Sequence, residues 1–249
     1  MIRSEFLKLK RSALPYICVI AAVIMPLIFC MNLSSDPEDI QSIKKDPWNL
    51  IIVECWKGMN FLILPLFVIL ISTLVAQLEH RNNTWKQVHA APIPSLKIFL
   101  AKFLVIQILI AVVMILFNVA NVSMPMLLHL VRPEIDIYHT LPDWQKIAEI
   151  TYQTYFAVIG ISAIQFFLGM QFKNVIVPIA LGFGLWLILP IAAEMNWVHL
   201  NKFPYAFSAL VIFPKYASII PYVLLGSVAY AIAFFSLTYW SFLRRKIKI

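Results

Sequence analysis

Six apolar runs, each about 20 residues long, alternate with polar segments along the chain. They are Ala13–Met31, Gly58–Leu78, Ile98–Ala120, Thr151–Met170, Val175–Ala193 and Ile219–Leu243. A helix rises about 1.5 Å per residue, so each run can cross a hydrocarbon core of about 30 Å. The runs are continuous and show no apolar-polar alternation, which predicts helices and excludes barrel strands. The pattern therefore predicts an all-α polytopic membrane protein, a single transmembrane domain over residues 1–249 with six transmembrane helices. The stretch 13–31 is too long for the core of a signal peptide, and no small-x-small site follows it, so it is read as a true span.

Three connecting segments have patterns of their own. In "MIRSEFLKLKRS", Ile2, Phe6, Leu9 and Ala13 recur at helical spacing among Arg3, Lys8, Lys10 and Arg11. That predicts an amphipathic interface helix over residues 1–12, lying on the inner leaflet. The segment "EHRNNTWKQVHAAPIP", residues 79–94, joins the second and third spans. Asn82 and Asn83 suit a helix N-cap. Thr84 to Ala90 can form about two turns, and Pro92 and Pro94 end them. So short a helix is unstable alone, and something must hold it. Trp85 and Val88 share one face; lipid headgroups and a groove on a partner protein both stay open as its support. The loop 194–218 has an apolar middle, "FSALVIF", too short to span. It is expected to re-enter the outer leaflet or cap the bundle, which irregular backbone does only where protein covers it.

Composition agrees with lipid as the solvent. Hydrophobic residues make up 61% of the chain, against about 45–50% in globular domains. Charge fixes the orientation. Six spans put both termini on one side, and that side holds 13 basic and two acidic residues, Glu5 and Glu79. The other side holds seven basic and ten acidic residues. The positive-inside rule then places both termini and residues 79–97 in the cytoplasm. The net charge of +8 is a topological signal and calls for no nucleic acid. Trp48, Trp56, Trp144, Tyr152, Trp197, Tyr216 and Tyr222 gather toward the opposite side, as an interfacial aromatic belt does. Glu5 and Glu79, alone among so many cations, are expected to be ion-paired.

No Asp, Glu, Lys or Arg lies deep in a span; Lys102, one turn from an end, can snorkel to water. Carriers driven by ions usually place ionisable groups at mid-membrane, which argues against that class. Polar residues in the spans include Gln107, Asn118, Ser162 and Gln165. Helix-helix hydrogen bonds and a polar lining for a substrate path are both open readings. Ala180 and Gly184 form a small-xxx-small pair that suits close packing, across a dimer among other contacts. Five prolines, Pro26, Pro65, Pro178, Pro190 and Pro221, can kink their helices. Catalytic signatures are missing: there is no G-x-x-x-x-G-K-S/T loop, H-E-x-x-H or G-x-S-x-G. Cys18, Cys30 and Cys55 have no metal-ligand spacing, and His80 and His89 make a poor metal pair. An intramembrane enzyme and a non-transporting scaffold or sensor subunit remain as rival classes; an ATPase encoded beside the chain is the observation that separates them.

An N-terminal "SEFLKLKRS" opens on the first span, and the second span ends in "EHRNNTWKQVHAAPIPSLKIFLAK". Together these resemble the membrane subunits of type-2 ABC transporters, most closely the short permeases of lantibiotic-immunity and bacitracin-resistance exporters. The resemblance implies a bacterial cytoplasmic-membrane permease of an ATP-driven exporter. ATP and Mg would bind a partner ABC ATP-binding subunit, with no cofactor in this chain, and a second permease, a copy or a sister, would complete the path. It also implies that residues 79–94 are the coupling helix docking on that ATPase, through Glu79, Arg81, Asn83, Thr84, Trp85, Lys86, Val88, Pro92 and Pro94. Ile2, Glu5, Phe6 and Leu9 would then belong to the interface helix on membrane lipid. The implied cargo is an antimicrobial peptide, a drug or a lipid-like molecule.

Overall fold

Within hydrocarbon a backbone must satisfy its own polar groups, and a helix does so segment by segment. The computed structural model describes residues 5, 7, 13–35, 47–81, 94–131, 141–195 and 197–246. Six helices among them are long and apolar enough to cross a membrane, and no described residue lies in a strand. The helices are α1 (Leu14–Ser35), α2 (Pro47–Gly58), α3 (Leu64–Arg81), α4 (Ser95–Val131), α5 (Trp144–Gln171), α6 (Ile176–Glu194), α7 (Phe207–Ile212) and α8 (Ile220–Lys246). A π-helical turn, Met59–Ile63, joins α2 to α3, and together they make the second span. Between α6 and α8 runs a connector of three 3-10 turns, Leu200–Lys202, Pro204–Ala206 and Pro214–Ile219, with α7 among them.

The helices outrun the apolar runs that mark them. The second span begins at Pro47, not Gly58. Its early turns bury Trp48, Ile51, Ile52, Cys55 and Trp56 on one face, while Glu54 and Lys57 pair on an exposed face. An amphipathic stripe with charges on its back is helical without being uniformly greasy. Similarly, α4 continues to Val131, past Ala120, and α5 starts at Trp144, before Thr151. The start of α5 is set by Asp143, whose side chain accepts the Lys146 N–H at 3.0 Å, an N-cap. Much of segments 32–57 and 121–150, which the apolar runs alone leave between spans, is therefore helix.

Contacts between helices show how the chain runs. Lys102 near the start of α4 meets Glu5. Phe99 packs edge-to-face on Phe242 of α8 at 4.8 Å. Gln77 in α3 donates to the Gly169 and Phe172 carbonyls, and Gln171 donates to Ser241 Oγ. The N-terminal segment, the ends of α3, α5 and α8 and the start of α4 thus share one end of the bundle. At the other end Trp56 packs on Phe117 at 4.8 Å, and Lys146 donates to Asn49. The spans alternate in direction, and Glu5 and the end of α8, near the two extremes of the described chain, lie toward the first of these ends.

The core centres on α5, which buries Ala157, Val158, Gly160, Ile161, Ala163 and Phe166 around its whole circumference. The outward faces of the other spans, such as Val19, Ile115, Val119, Ile188 and Ile232, stay exposed and suit hydrocarbon. Glycine sets the closest approach. A Cβ on Gly169 would stand 2.7 Å from the Ala76 Cβ, which cannot rotate away. Gly169→Ala is therefore expected to push α3 off α5 and cost about 1–2 kcal/mol, after the gain in helix propensity is set against the overpacking. Gly184→Ala, where a Cβ meets nothing within 4 Å, is expected to be neutral or slightly stabilising. Unfolding of the two variants by SDS titration in mixed micelles measures the contrast.

Candidate functional site

Of the residues expected to meet an ATPase, Glu79 and Arg81 belong to the last turn of α3. Pro94 is exposed and immediately precedes α4, its carbonyl accepting the Lys97 N–H at 3.0 Å. Asn83, Thr84, Trp85, Lys86, Val88 and Pro92 lie outside the described residues, as do Ile2, Phe6 and Leu9. Glu5 is described and helical. Its Oε2 accepts from Lys102 Nζ at 2.9 Å, with the two side chains 9% and 1% exposed. The ion pairing expected for Glu5 is present. The snorkelling expected for Lys102 is not: its ammonium points at a carboxylate 97 residues away in sequence and not at water.

The four polar residues that could line a path all bond between helices or close to them. Gln107 Nε2 donates to Ser162 Oγ at 2.8 Å, and Ser162 Oγ also contacts the Ile159 carbonyl. Asn118 Nδ2 donates to Thr151 Oγ1 at 3.0 Å. Gln165, fully buried, donates to the Pro178 carbonyl and to Thr73 Oγ1, and accepts from the Tyr205 hydroxyl at 3.1 Å. Burial pushes the Tyr205 phenol far up, so it stays a donor. Gly182 makes room for this arrangement: a Cβ there would come 2.5 Å from Gln165 Nε2. Four amide oxygens keep no partner among the described residues, those of Asn60, Gln107, Asn118 and Asn121. The buried polar layer thus has spare acceptors and no described carboxylate. Ala180 and Gly184 sit on the exposed side of α6, so that pair is not used to pack the described bundle.

Sequence reasoning noted Pro65 only as a kink. The structure shows what it does. The Leu64 N–H bonds to the Met59 carbonyl, the spacing of a π turn. The next residue, Pro65, has no N–H to give. In π spacing the missing donor would have served Asn60, and in α spacing Phe61. Both carbonyls take a side chain instead: Ser208 Oγ donates to Asn60 O at 2.9 Å, and Trp186 Nε1 to Phe61 O at 3.0 Å. Asn60 Nδ2 donates in turn to Thr154 Oγ1 of α5 at 3.0 Å. The break in the second span is thereby tied to α5, α6 and α7. Pro65 was the only local signal for it; Ser208, Trp186 and Thr154 carry none.

Beside this layer the connector forms a cleft of about 210 Å³ with the end of α6, lined by Ala192, Trp197, Val198, Asn201, Lys215 and Tyr216 among others. Among the described residues no three His, Cys, Asp or Glu side chains are grouped to hold a metal, and the three cysteines are free thiols. No curated protein and no solved structure matches the chain. The family model described as ABC-2 family transporter protein matches residues 1–189 of the 249. That range holds the first four spans, the break at Pro65, the buried polar layer of α4 and α5, and most of α6. The chain is a multi-pass membrane protein and belongs to the ABC-2 transporter family.

Proposed function

We propose that the chain is the membrane-spanning permease subunit of an ATP-driven exporter in a bacterial cytoplasmic membrane. The family match over residues 1–189 carries this reading. The chain has no phosphate-binding loop of its own, so ATP and Mg belong to a separate ATP-binding subunit. Both chain ends and the 79–94 segment face the cytoplasm, as the excess of basic residues there favours. The ATPase grips residues 79–94, and its closure tilts α3 and α4, the two helices that flank them. Six spans form half of a path, so a second permease, identical or related, supplies the rest, with the exposed Ala180–Gly184 face of α6 available to it. The cargo is an amphiphile of the membrane, a peptide of the lantibiotic or bacitracin type or a lipid-like molecule. The spare acceptor oxygens of Asn118 and Gln107 favour one bearing hydrogen-bond donors.

Two measurements test this. An ABC ATP-binding subunit should be encoded beside the chain, and co-expression with it should give a complex that survives purification; ATPase-free permease alone would count against the reading. Single cysteines at Asp39 and Glu134 should react with an impermeant thiol reagent in intact cells, while cysteines at Arg81 and Lys246 should not. Labelling at position 81 from outside would overturn both the orientation and the docking segment.

A further inference from the structure

A regular helix spreads a bend over its length; a proline beside a π turn concentrates it. The second span has such a break at one place, and its lower part, α3, is an unbroken lever of 18 residues ending at Arg81. Two carbonyls at the break are held by side chains that come from elsewhere, Ser208 in α7 and Trp186 in α6. Ser208 is fully buried, as is every residue of α7 to within a few per cent. Trp186 stands about two turns before Ala192 and Ala193, which line the cleft. Side-chain bonds to a backbone carbonyl can lengthen or swing without unwinding a helix, and so they can follow a moving break where a helical hydrogen bond could not.

We propose that the Met59–Ile63 turn is the hinge of the second span, and that Ser208 and Trp186 are positioning residues that carry its movement to the connector and its cleft. Tilt entering at residue 81 pivots α3 about Pro65. The Asn60 and Phe61 carbonyls move with it and draw α7 and the end of α6 along. Asn60 Nδ2 on Thr154 holds the other side of the turn against α5, the most enclosed of the spans, which stays still. The cleft lined by Trp197, Asn201 and Lys215 changes shape at the far end of the bundle. This inference rests on the proposed entry of motion at residues 79–94.

The test uses the full permease with its ATPase, in proteoliposomes, after replacing Cys18, Cys30 and Cys55 by alanine. A bimane fluorophore on Val198→Cys, an exposed cleft residue, reports the cleft when ATP and Mg are added, with ATP hydrolysis and SDS resistance measured alongside. Pro65→Ala returns a backbone donor and should leave SDS resistance equal or higher. The ATP-driven bimane change should nevertheless fall about five-fold or more, with hydrolysis within about two-fold of the parent. A purely structural proline would move these in the same direction or not at all. Ser208→Ala, which keeps the break and removes one tie, should also lose the change, and it decides the matter if Pro65→Ala does not insert. Pro26→Ala in α1 serves as the control proline and should respond like the parent. A full bimane response in Pro65→Ala or in Ser208→Ala overturns the hinge. If the parent binds its ATPase and hydrolyses ATP but shows no bimane change, the link from the hinge to the cleft is overturned; if no complex with the ATPase forms, the proposed function fails instead.

Discussion

Trp85→Ala is expected to insert normally, because residue 85 lies outside every span, and to lose its grip on the ATPase. The argument starts from the length of the segment. Residues 82–93 join the last turn of α3 to the start of α4, and a helix that fits there is too short to be stable unaided. A large aromatic on its face is the group that would bury on docking. Truncating a buried Trp at an interface typically removes about 2 kcal/mol or more, which is about a 30-fold weaker complex. Trp85→Phe separates docking from lipid anchoring: at the headgroups Phe should serve nearly as well, whereas in a protein pocket it should lose part of the same affinity. Lys86→Glu should weaken the complex as well if the receiving groove is acidic. The measurement is the dissociation constant of purified ATPase for the permease in nanodiscs, with stimulated ATP hydrolysis as a second readout. A Trp85→Ala permease that binds its ATPase as the parent does would remove residues 79–94 from the mechanism and leave the N-terminal segment as the next place to look.

The six spans were legible because each contains a run of apolar residues long enough to cross hydrocarbon, and no competing structure can satisfy the backbone there. Their ends were not. Glu54 and Lys57 put Pro47–Gly58 outside the continuous apolar run, and the stripe of Trp48, Ile51, Ile52, Cys55 and Trp56 is what makes it helix. The polar residues of α4 and α5 were visible as candidates, but their partners were not. Gln165 meets Thr73 and Tyr205 across 92 and 40 positions, and a single sequence holds no trace of such pairs. Pro65 shows the limit most clearly. A proline in a span announces lost donors, yet nothing local says which distant side chains will take the freed carbonyls. Asn60, Thr154 and Ser208 went unremarked for that reason.

Lys102→Met is expected to give the largest loss of stability among single changes at described residues. The pair it breaks is buried on both sides, 2.9 Å apart, and joins the N-terminal segment to α4. A surface pair would contribute little, about 0–1 kcal/mol, because water and salt screen it. Here water is excluded, so removing one partner takes a direct counter-charge from a buried ion, and such losses run to about 3–5 kcal/mol. Replacing both partners has a different result. Glu5→Leu with Lys102→Met removes both charges of this pair, and replacing both partners of a buried pair by apolar groups of similar volume is often close to neutral for stability. The two single changes should therefore be strongly non-additive, with the double variant more stable than either. Trypsin offers a direct readout, since Arg3, Lys8, Lys10 and Arg11 lie in the segment that the pair anchors. Lys102→Met should speed cleavage at those sites by about 100-fold or more when opening limits the rate, and the double variant should return most of the protection. Equal cleavage rates in the parent and in Lys102→Met would mean that the segment is held by its apolar face on lipid, through Phe6 and Leu9, and that the buried pair is incidental to it.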